Sequence, residues 1–325
     1  QSSEQSIQQE ITGFKRSYPR DVPFDQIEAV LLGLLSINGG DLSPQCSLII
    51  GSALVALYKT EKSQKFFGLI ELVKKKPTHA NIYAIGRVCK TLGKHSISYL
   101  PGVVTILLEL KEPFHLDVMY ALRYFFKSTA KSLESYTGAA LKLVGKYLES
   151  PNEALQTAAL NLLGEMTIFP SISRKKISRP LAKVLKGNLV GAQIAAKIIA
   201  DIAFEDVASL QEETSGDDTQ LETKKEASKK LLSSLDLINQ FPTHTELIMG
   251  YFLDQLVPEF VFNNAETFLN SSTAGAKLVV GFFGDDIQLQ LLEAYLKNER
   301  KSYAALQAML KTPKLIEAAF GYFCN

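Results

Sequence analysis

The sequence predicts an all-α chain built from stacked pairs of amphipathic helices, and three observations support this prediction. Segment 111–149 contains two apolar stripes at helical spacing, separated by a polar break at 128–132. Prolines recur at predicted helix starts, at intervals of 33 to 38 residues: Pro44, Pro77, Pro113 and Pro151. The alternation typical of strands is missing except at 260–262, which fits a helix equally well.

A period of this length, made of two helices and a tight turn, is typical of an α-solenoid. Tetratricopeptide repeats need a Trp-Leu-Gly-Tyr pattern, and the chain has no Trp. Ankyrin repeats need Thr-Pro-Leu-His, which the sequence also lacks. The sequence therefore predicts a right-handed α-solenoid of HEAT- or armadillo-like helix pairs.

The individual helices follow from apolar spacing and from start signals. Ser43 is a predicted N-cap with Pro44 at the first helical position, and Pro113 is predicted at the first position of another helix. Pro180 lies inside a helical pattern and is expected to kink or split it. The helices expected up to residue 204 cover 3–15, 24–37, 43–59, 61–75, 77–92, 97–110, 113–126, 136–148, 152–168, 171–185 and 190–204.

We predict three regions along the chain. Residues 1–204 form regular HEAT-like repeats, and residues 223–325 form less regular helical repeats that continue the same solenoid. Between them, 205–222 carries seven Asp and Glu but no Lys or Arg. Because such a segment buries too little apolar surface to offset its ordering entropy, we predict a mobile acidic insertion there.

Composition argues against several classes of function. With 35 basic and 34 acidic residues the net charge is +1, so no whole-chain field favours nucleic acid or an anionic membrane. Three separated cysteines predict buried apolar residues of a reducing, cytoplasmic compartment rather than a disulfide framework. No apolar run is long enough to span a membrane.

The sequence contains no pattern that specifies catalysis. The four histidines are scattered singly and no Cys-x-x-Cys occurs, so no metal site is predicted. Phosphate-binding loops and nucleophile motifs are also missing. We therefore predict a protein that is not an enzyme and binds no cofactor.

Two charged segments are candidate functional sites. The most basic helix is a candidate partner-binding patch, formed by Arg174, Lys175, Lys176, Arg179 and Lys183. Its occupant would be an acidic peptide, a lipid head group or nucleic acid, although a simple solvated face is the more common role of such a row. Ser215, followed by Asp217 and Asp218, is a candidate phosphorylation site, although a merely tolerated insertion is more common for such a loop.

Aromatic clusters offer a third kind of candidate. Phe66-Phe67, the run 124–126 and Phe282-Phe283 are expected to fill the core between repeats. Because adjacent residues on a helix point in different directions, one member of each cluster should face outward and could anchor a partner.

Three apolar stretches in the first half resemble a known family. They are 52–58 (SALVALY), 84–93 (AIGRVCKTLG) and 158–165 (AALNLLGE). They resemble the N-terminal HEAT array of the clathrin-adaptor accessory proteins of the HEAT-repeat-containing protein 5 group. The resemblance implies a fragment of a longer scaffold, peripheral to endosome or Golgi membranes, with no catalytic residues.

Together these observations predict a non-catalytic protein-binding scaffold in adaptor-dependent vesicle traffic or another large cytosolic assembly. The alternative is a helical repeat protein that binds nucleic acid through the basic helix at 174–186. The partner would dock on the surface that repeat stacking creates, which we expect the second helix of each pair to line.

Overall fold

A computed structural model of the protein describes residues 23–37, 42–60, 67–92, 98–169, 172, 174–212, 220–271, 278, 281 and 316–317. Within these residues the chain forms helices joined by turns and short irregular segments, without a strand. It divides into two compact units, Gln1–Lys176 and Ile177–Asn325. The helices expected at 3–15 and most of the chain beyond 271 lie outside the described residues.

The helices of unit 1 form two stacked series, each made of alternate helices along the chain. Its elements in chain order are α1 (Phe24–Leu35), α2 (Pro44–Thr60), α3 (Phe67–Lys75), α4 (His79–Leu92), α5 (Leu100–Glu109), α6 (His115–Thr129), a 3-10 helix (Ala130–Tyr136), α7 (Thr137–Tyr147) and α8 (Glu153–Met166). In one series α2 packs on α4, α4 on α6 and α6 on α8; in the other, α1, α3, α5 and α7 follow one another. Each member also contacts its neighbour in the other series, so the unit repeats as helix pairs.

Glycines allow the helices of the first series to approach closely. A Cβ built at Gly51 would lie 3.2 Å from the Cα of Ala84, and one built at Gly86 would lie 3.2 Å from the Cα of Ala121. The core between the helices is filled by large apolar side chains, and Phe125 and Phe126 are fully buried. Close packing of small residues and filling by large ones together fix the spacing of α2, α4 and α6.

Local start signals account for several helix boundaries. Ser43 Oγ accepts a hydrogen bond from the Cys46 amide at 3.3 Å, which confirms the predicted cap before Pro44. Asn152 Oδ1 accepts from the amides of Ala154 and Leu155 at 3.0 and 3.2 Å and caps α8. The prediction for Pro113 was wrong by two residues, because 112–114 forms a turn and α6 begins only at His115.

Unit 2 continues the helical chain. Helix α9 (Arg174–Leu185) begins at the end of unit 1 and contains Pro180 without ending there. The elements that follow are α10 (Leu189–Glu205), α11 (Ala208–Glu212), α12 (Gln220–Asn239), α13 (Thr245–Leu253), α14 (Pro258–Asn263) and α15 (Ala265–Ser271). The predicted burial of α10 is confirmed; this helix packs against α12 and α13, and Ser234 Oγ donates to the Ala203 carbonyl at 2.8 Å.

The predicted acidic insertion overlaps the last residue of α10, all of α11 and the start of α12. Within 205–222, α11 forms a short helix with Leu210 buried, and α12 begins at Gln220. Residues 213–219, including Ser215, lie outside the described residues. The mobility and domain boundaries predicted from the sequence therefore stay predictions.

The fold class predicted from the sequence is confirmed as all-α, with neighbouring helices packed sequentially as in an α-solenoid. Among the described residues, no helix is both long and apolar enough to cross a membrane. Cys46 and Cys89 are buried free thiols, as the sequence predicted, while Cys324 lies outside the described residues.

Candidate functional site

The solvent side of α4 and α6 presents a surface that we call the aromatic–basic face. It consists of Tyr83, Arg87, Lys90, Tyr120, Arg123, Tyr124 and Lys127. These residues recur every three to four positions, so each helix turns a single stripe toward solvent while the positions between them are buried. The stacking of α4 on α6 brings the two stripes side by side.

Tyrosines form the centre of this face. The rings of Tyr83 and Tyr120 lie 6.1 Å apart between centroids, with an interplanar angle of 35°. Partial burial, the nearby Asp117 carboxylate and the adjacent Tyr120 and Tyr124 together raise the pKa of Tyr83 to about 12. Within the described residues neither Tyr83 nor Tyr120 donates its hydroxyl proton to a protein acceptor. Both hydroxyls are therefore available to a bound molecule within the described part of the chain.

Cations surround the tyrosines, and several are held in place by neighbouring helices. Lys90 Nζ lies 4.5 Å from the centroid of the Tyr124 ring, a distance typical of cation–π contact. Arg87 Nε donates to Ser52 Oγ on α2 at 3.2 Å, and Arg123 Nε donates to Glu165 Oε1 on α8 at 3.2 Å. Nε is the bound atom in each case, and the outer nitrogens of both guanidinium groups make no hydrogen bond or ion pair with other described residues.

A histidine–aspartate pair joins the two helices at one edge of the face. His79 Nδ1 on α4 lies 2.5 Å from Asp117 Oδ2 on α6, and the His79 ring is 5.2 Å from that of Phe114. The Asp117 side chain is only 5% exposed. Burial raises the pKa of Asp117, and the hydrogen bond and charge interaction with His79 oppose that shift. The pair therefore links α4 to α6 rather than offering a free carboxylate.

A second polar cluster lies in unit 1, beside a cleft of about 670 Å³ between the end of α5 and α7. His115 Nε2 is 3.0 Å from the Leu110 carbonyl oxygen, and His115 Nδ1 is 2.6 Å from the Tyr147 hydroxyl. The Tyr147 hydroxyl in turn donates to Glu112 Oε1 at 2.6 Å. Burial and the Glu112 carboxylate raise the pKa of Tyr147 to about 12.

Elementary donor and acceptor rules assign the hydrogen bonds of this cluster. A carbonyl oxygen only accepts, so Nε2 of His115 must carry a proton, and a tyrosine hydroxyl has one proton to give. The Tyr147 hydroxyl gives its proton to Glu112, and its oxygen also lies within hydrogen-bond distance of Nδ1 of His115. These three contacts join the α5–α6 turn to α7.

The basic helix predicted as a partner site is partly described. Arg179 and Lys183 are exposed on α9, together with Lys186, while Ile177 and Leu181 are buried, so one basic row faces solvent. Arg174, Lys175 and Lys176 belong to the first turn of the same helix, but their side chains lie outside the described residues. The assignment of this row to a partner stays a prediction, as does phosphorylation of Ser215.

Sequence reasoning predicted one outward-facing residue in the run 124–126, without naming it, and missed the rest of the aromatic–basic face. An outward-facing residue in the run 124–126 was predicted and is confirmed, because Tyr124 is half-buried while Phe125 and Phe126 are fully buried. The other two aromatic clusters lie outside the described side chains.

The missed signal is an internal repeat. Residues 83–90 read YAIGRVCK and 120–127 read YALRYFFK, so Tyr, Ala and Lys recur at an offset of 37 positions. Each segment also carries an arginine between its tyrosine and its lysine. An alignment of the helices by this offset would have placed Tyr83 beside Tyr120, as the structure does.

Comparisons with known proteins give no further guide to the site. No model of a known protein family matches the chain, and no curated protein matches it significantly. Among the described residues, no group of three His, Cys, Asp or Glu side chains is arranged to hold a metal ion.

Proposed function

We propose that this chain is a non-catalytic protein-binding scaffold, built on a HEAT-like helical array, that works in adaptor-dependent vesicle traffic or another large cytosolic assembly. The observation that carries the proposal is the aromatic–basic face of α4 and α6. Three tyrosines and four cations are concentrated there on two adjacent helices. The family resemblance of the first half supplies the trafficking part of the proposal.

The composition of the face supports binding of a protein. Tyrosine and arginine are enriched among the residues that dominate binding energy at protein interfaces. Tyrosine offers a large contact area at a small cost in conformational entropy, and its hydroxyl adds a hydrogen bond. The anchoring of Arg87 to Ser52 and of Arg123 to Glu165 reduces the entropy that these side chains would lose on binding.

Photo-crosslinking tests this proposal at the face itself. A photoreactive phenylalanine analogue replaces Tyr120 in one variant and Tyr251, a half-buried residue of α13 in unit 2, in a matched control. We expect Tyr120 to give a discrete crosslinked protein in native cells, identified by mass spectrometry, that the control does not give. Indistinguishable crosslinks from both positions would contradict a binding role for the face.

The identity of the crosslinked protein tests the trafficking part separately. We expect a subunit or accessory factor of a clathrin adaptor. A discrete partner from an unrelated assembly would keep the scaffold function but refute vesicle traffic.

The basic row of α9 supports nucleic-acid binding as a second candidate function. Arg179 and Lys183 are exposed four positions apart on one side of α9, and Lys186 is exposed in the turn that follows the helix. This function predicts an affinity for RNA or DNA that falls steeply with salt and is lost when Arg179 and Lys183 are both changed to Glu. Absence of binding at low salt, measured by fluorescence anisotropy, would refute it.

A further inference from the structure

We infer that the aromatic–basic face binds an acidic peptide segment, in which carboxylates engage the arginines and lysines while an apolar side chain rests on the tyrosines. This inference rests on the proposed scaffold function and specifies the chemistry of its partner.

Charge on the face is unbalanced in favour of cations. The solvent side of α4 and α6 carries four cations, the exposed Lys90 and Lys127 and the half-buried Arg87 and Arg123. The only carboxylate of these two helices in contact with that stripe is Asp117, which is buried against His79. From the neighbouring α8, Glu165 engages Arg123 through Nε. An acidic segment would thus find complementary charge, whereas a basic one would be repelled.

The arginines are oriented to receive carboxylates. Guanidinium groups bind carboxylates in a two-pronged geometry that uses two parallel N–H donors. Ser52 and Glu165 each accept a hydrogen bond from Nε at 3.2 Å, which leaves the edge formed by the two terminal nitrogens of each guanidinium for a carboxylate. Arg87 and Arg123 are therefore held at one end and free at the other.

The tyrosines supply the apolar part of the surface. The tilted Tyr83–Tyr120 pair spans α4 and α6, and the hydroxyls of both residues are free to donate within the described chain. Lys90 covers the Tyr124 ring, so a carboxylate that draws Lys90 outward would also uncover an aromatic surface. Together the rings provide a contact area that charge alone would lack.

The internal repeat predicts the spacing of acidic residues in the partner. The Tyr-to-Lys segment occurs once on α4 and once on α6, so a peptide that crosses both helices meets the same side-chain types twice. Packed helices lie about 8–10 Å apart. An extended peptide advances about 3.3 Å per residue, so acidic residues about three positions apart would match the two helices.

Selection from a random peptide library displayed on phage, with the full chain as bait, tests the inference. The test variant is Lys90→Glu with Lys127→Glu, and its matched control is Lys142→Glu with Lys146→Glu, two exposed lysines of α7 in the same unit. We expect selected peptides to be acidic, with carboxylates about three positions apart. Their synthetic forms should bind the test variant at least about tenfold more weakly, while the control binds like the wild type.

Several outcomes would overturn the inference. The inference is wrong if the selected peptides are neutral or basic, or if no peptide is selected. It is also wrong if the test variant and the control lose affinity for the peptides equally. So would binding of an oligouridylate RNA that depends on Lys90 and Lys127 and competes with the peptides. If Tyr120 still crosslinks to a discrete protein in these cases, the scaffold function stands and only the acidic chemistry is wrong. If the photoreactive residue at position 120 gives no discrete crosslinked protein either, both the acidic-peptide inference and the scaffold function are refuted.

Discussion

Gly86 on α4 lies directly against Ala121 on α6, and this contact sets how closely the two halves of the aromatic–basic face approach. A Cβ added at Gly86 would meet the Cα and Cβ of Ala121, both at 3.2 Å. One of these atoms belongs to the backbone, so relief would require a movement of α6 itself. The neighbouring rings of Tyr83 and Tyr120 depend on the same helix spacing.

Gly86→Ala should therefore lower the free energy of unfolding by about 1–3 kcal/mol, the usual cost of overpacking a filled core. Gly145→Ala is the matched control, because Gly145 lies within α7 with no neighbouring atom within 4 Å of its added Cβ. The control should raise the free energy of unfolding by about 0.5–1 kcal/mol, since alanine favours helix. Urea unfolding followed by circular dichroism measures the free energy of unfolding of both variants. If Gly86→Ala were as stabilising as Gly145→Ala, α6 would move away from the added Cβ at no cost.

The sequence predicted the parts of the fold that depend on neighbouring residues. Helix stripes and the Ser43 cap follow from spacing within a few positions, and both are confirmed. The start of α6 was misplaced at Pro113, because a proline is equally compatible with the turn at 112–114 and with a first helical position.

The candidate site could be predicted less fully, because its contacts join residues that are far apart in the chain. Arg87 meets Ser52 across 35 positions and Arg123 meets Glu165 across 42. Such pairings require the stacking order and register of the helices, which helical periodicity alone does not specify. The recurrence of Tyr and Lys at an offset of 37 positions is the sequence feature that indicates this register. It becomes visible when the two helix sequences are aligned.

The Arg123–Glu165 ion pair should contribute only modestly to stability. Its side chains are 36% and 21% exposed, so solvent screens much of the attraction. A double-mutant cycle with Arg123→Ala and Glu165→Ala should give a coupling free energy of about 0.2–1 kcal/mol that decreases with added salt. A coupling several times larger and insensitive to salt would mean that the pair is buried far more deeply than the structure shows.

Tyr147 should make stability depend on pH in the alkaline range. Burial and Glu112 raise its pKa from 10.0 to about 12, so between these values the unfolded chain has lost a proton that the native chain retains. The stabilisation from this tyrosine is thus complete below pH 10 and is lost as the pH rises through 12. Tyr147→Phe should lower the free energy of unfolding by about 1–3 kcal/mol at neutral pH, and that deficit should shrink between pH 10 and 12.

Glu112→Gln provides the control for Tyr147, because it keeps an acceptor oxygen but removes the charge that adds to the shift. Its alkaline loss of stability should begin at a lower pH than that of the wild type. Chemical unfolding at a series of pH values gives the free energy of unfolding against pH for the wild type, Tyr147→Phe and Glu112→Gln. A Tyr147→Phe deficit that stays constant from pH 9 to pH 12 would contradict the assignment of the shift to this cluster.

Asp117 should make stability depend on pH in the acidic range, and there too stability should fall as the pH rises through the raised pKa. Burial raises its pKa above the ordinary 3.8, so the native chain holds a proton there more tightly than the unfolded chain. The ionised carboxylate thus costs stability at neutral pH, and this cost is relieved as the pH falls through the raised pKa toward 3.8. Asp117→Asn removes the titration, so the free energy of unfolding of the wild type should rise relative to this variant as the pH is lowered.

His79→Gln sharpens the test of Asp117, because His79 is the partner that holds the pKa of Asp117 down. Without the imidazole the carboxyl pKa should rise further, and the relative gain on acidification should begin at a higher pH. Unfolding in urea between pH 3 and 7, compared among the wild type, both single variants and the double variant, measures this displacement. The same acidic onset with and without His79 would mean that the pair contributes packing between α4 and α6 but no charge interaction, and the edge of the aromatic–basic face would then be held by the Phe114 contact instead.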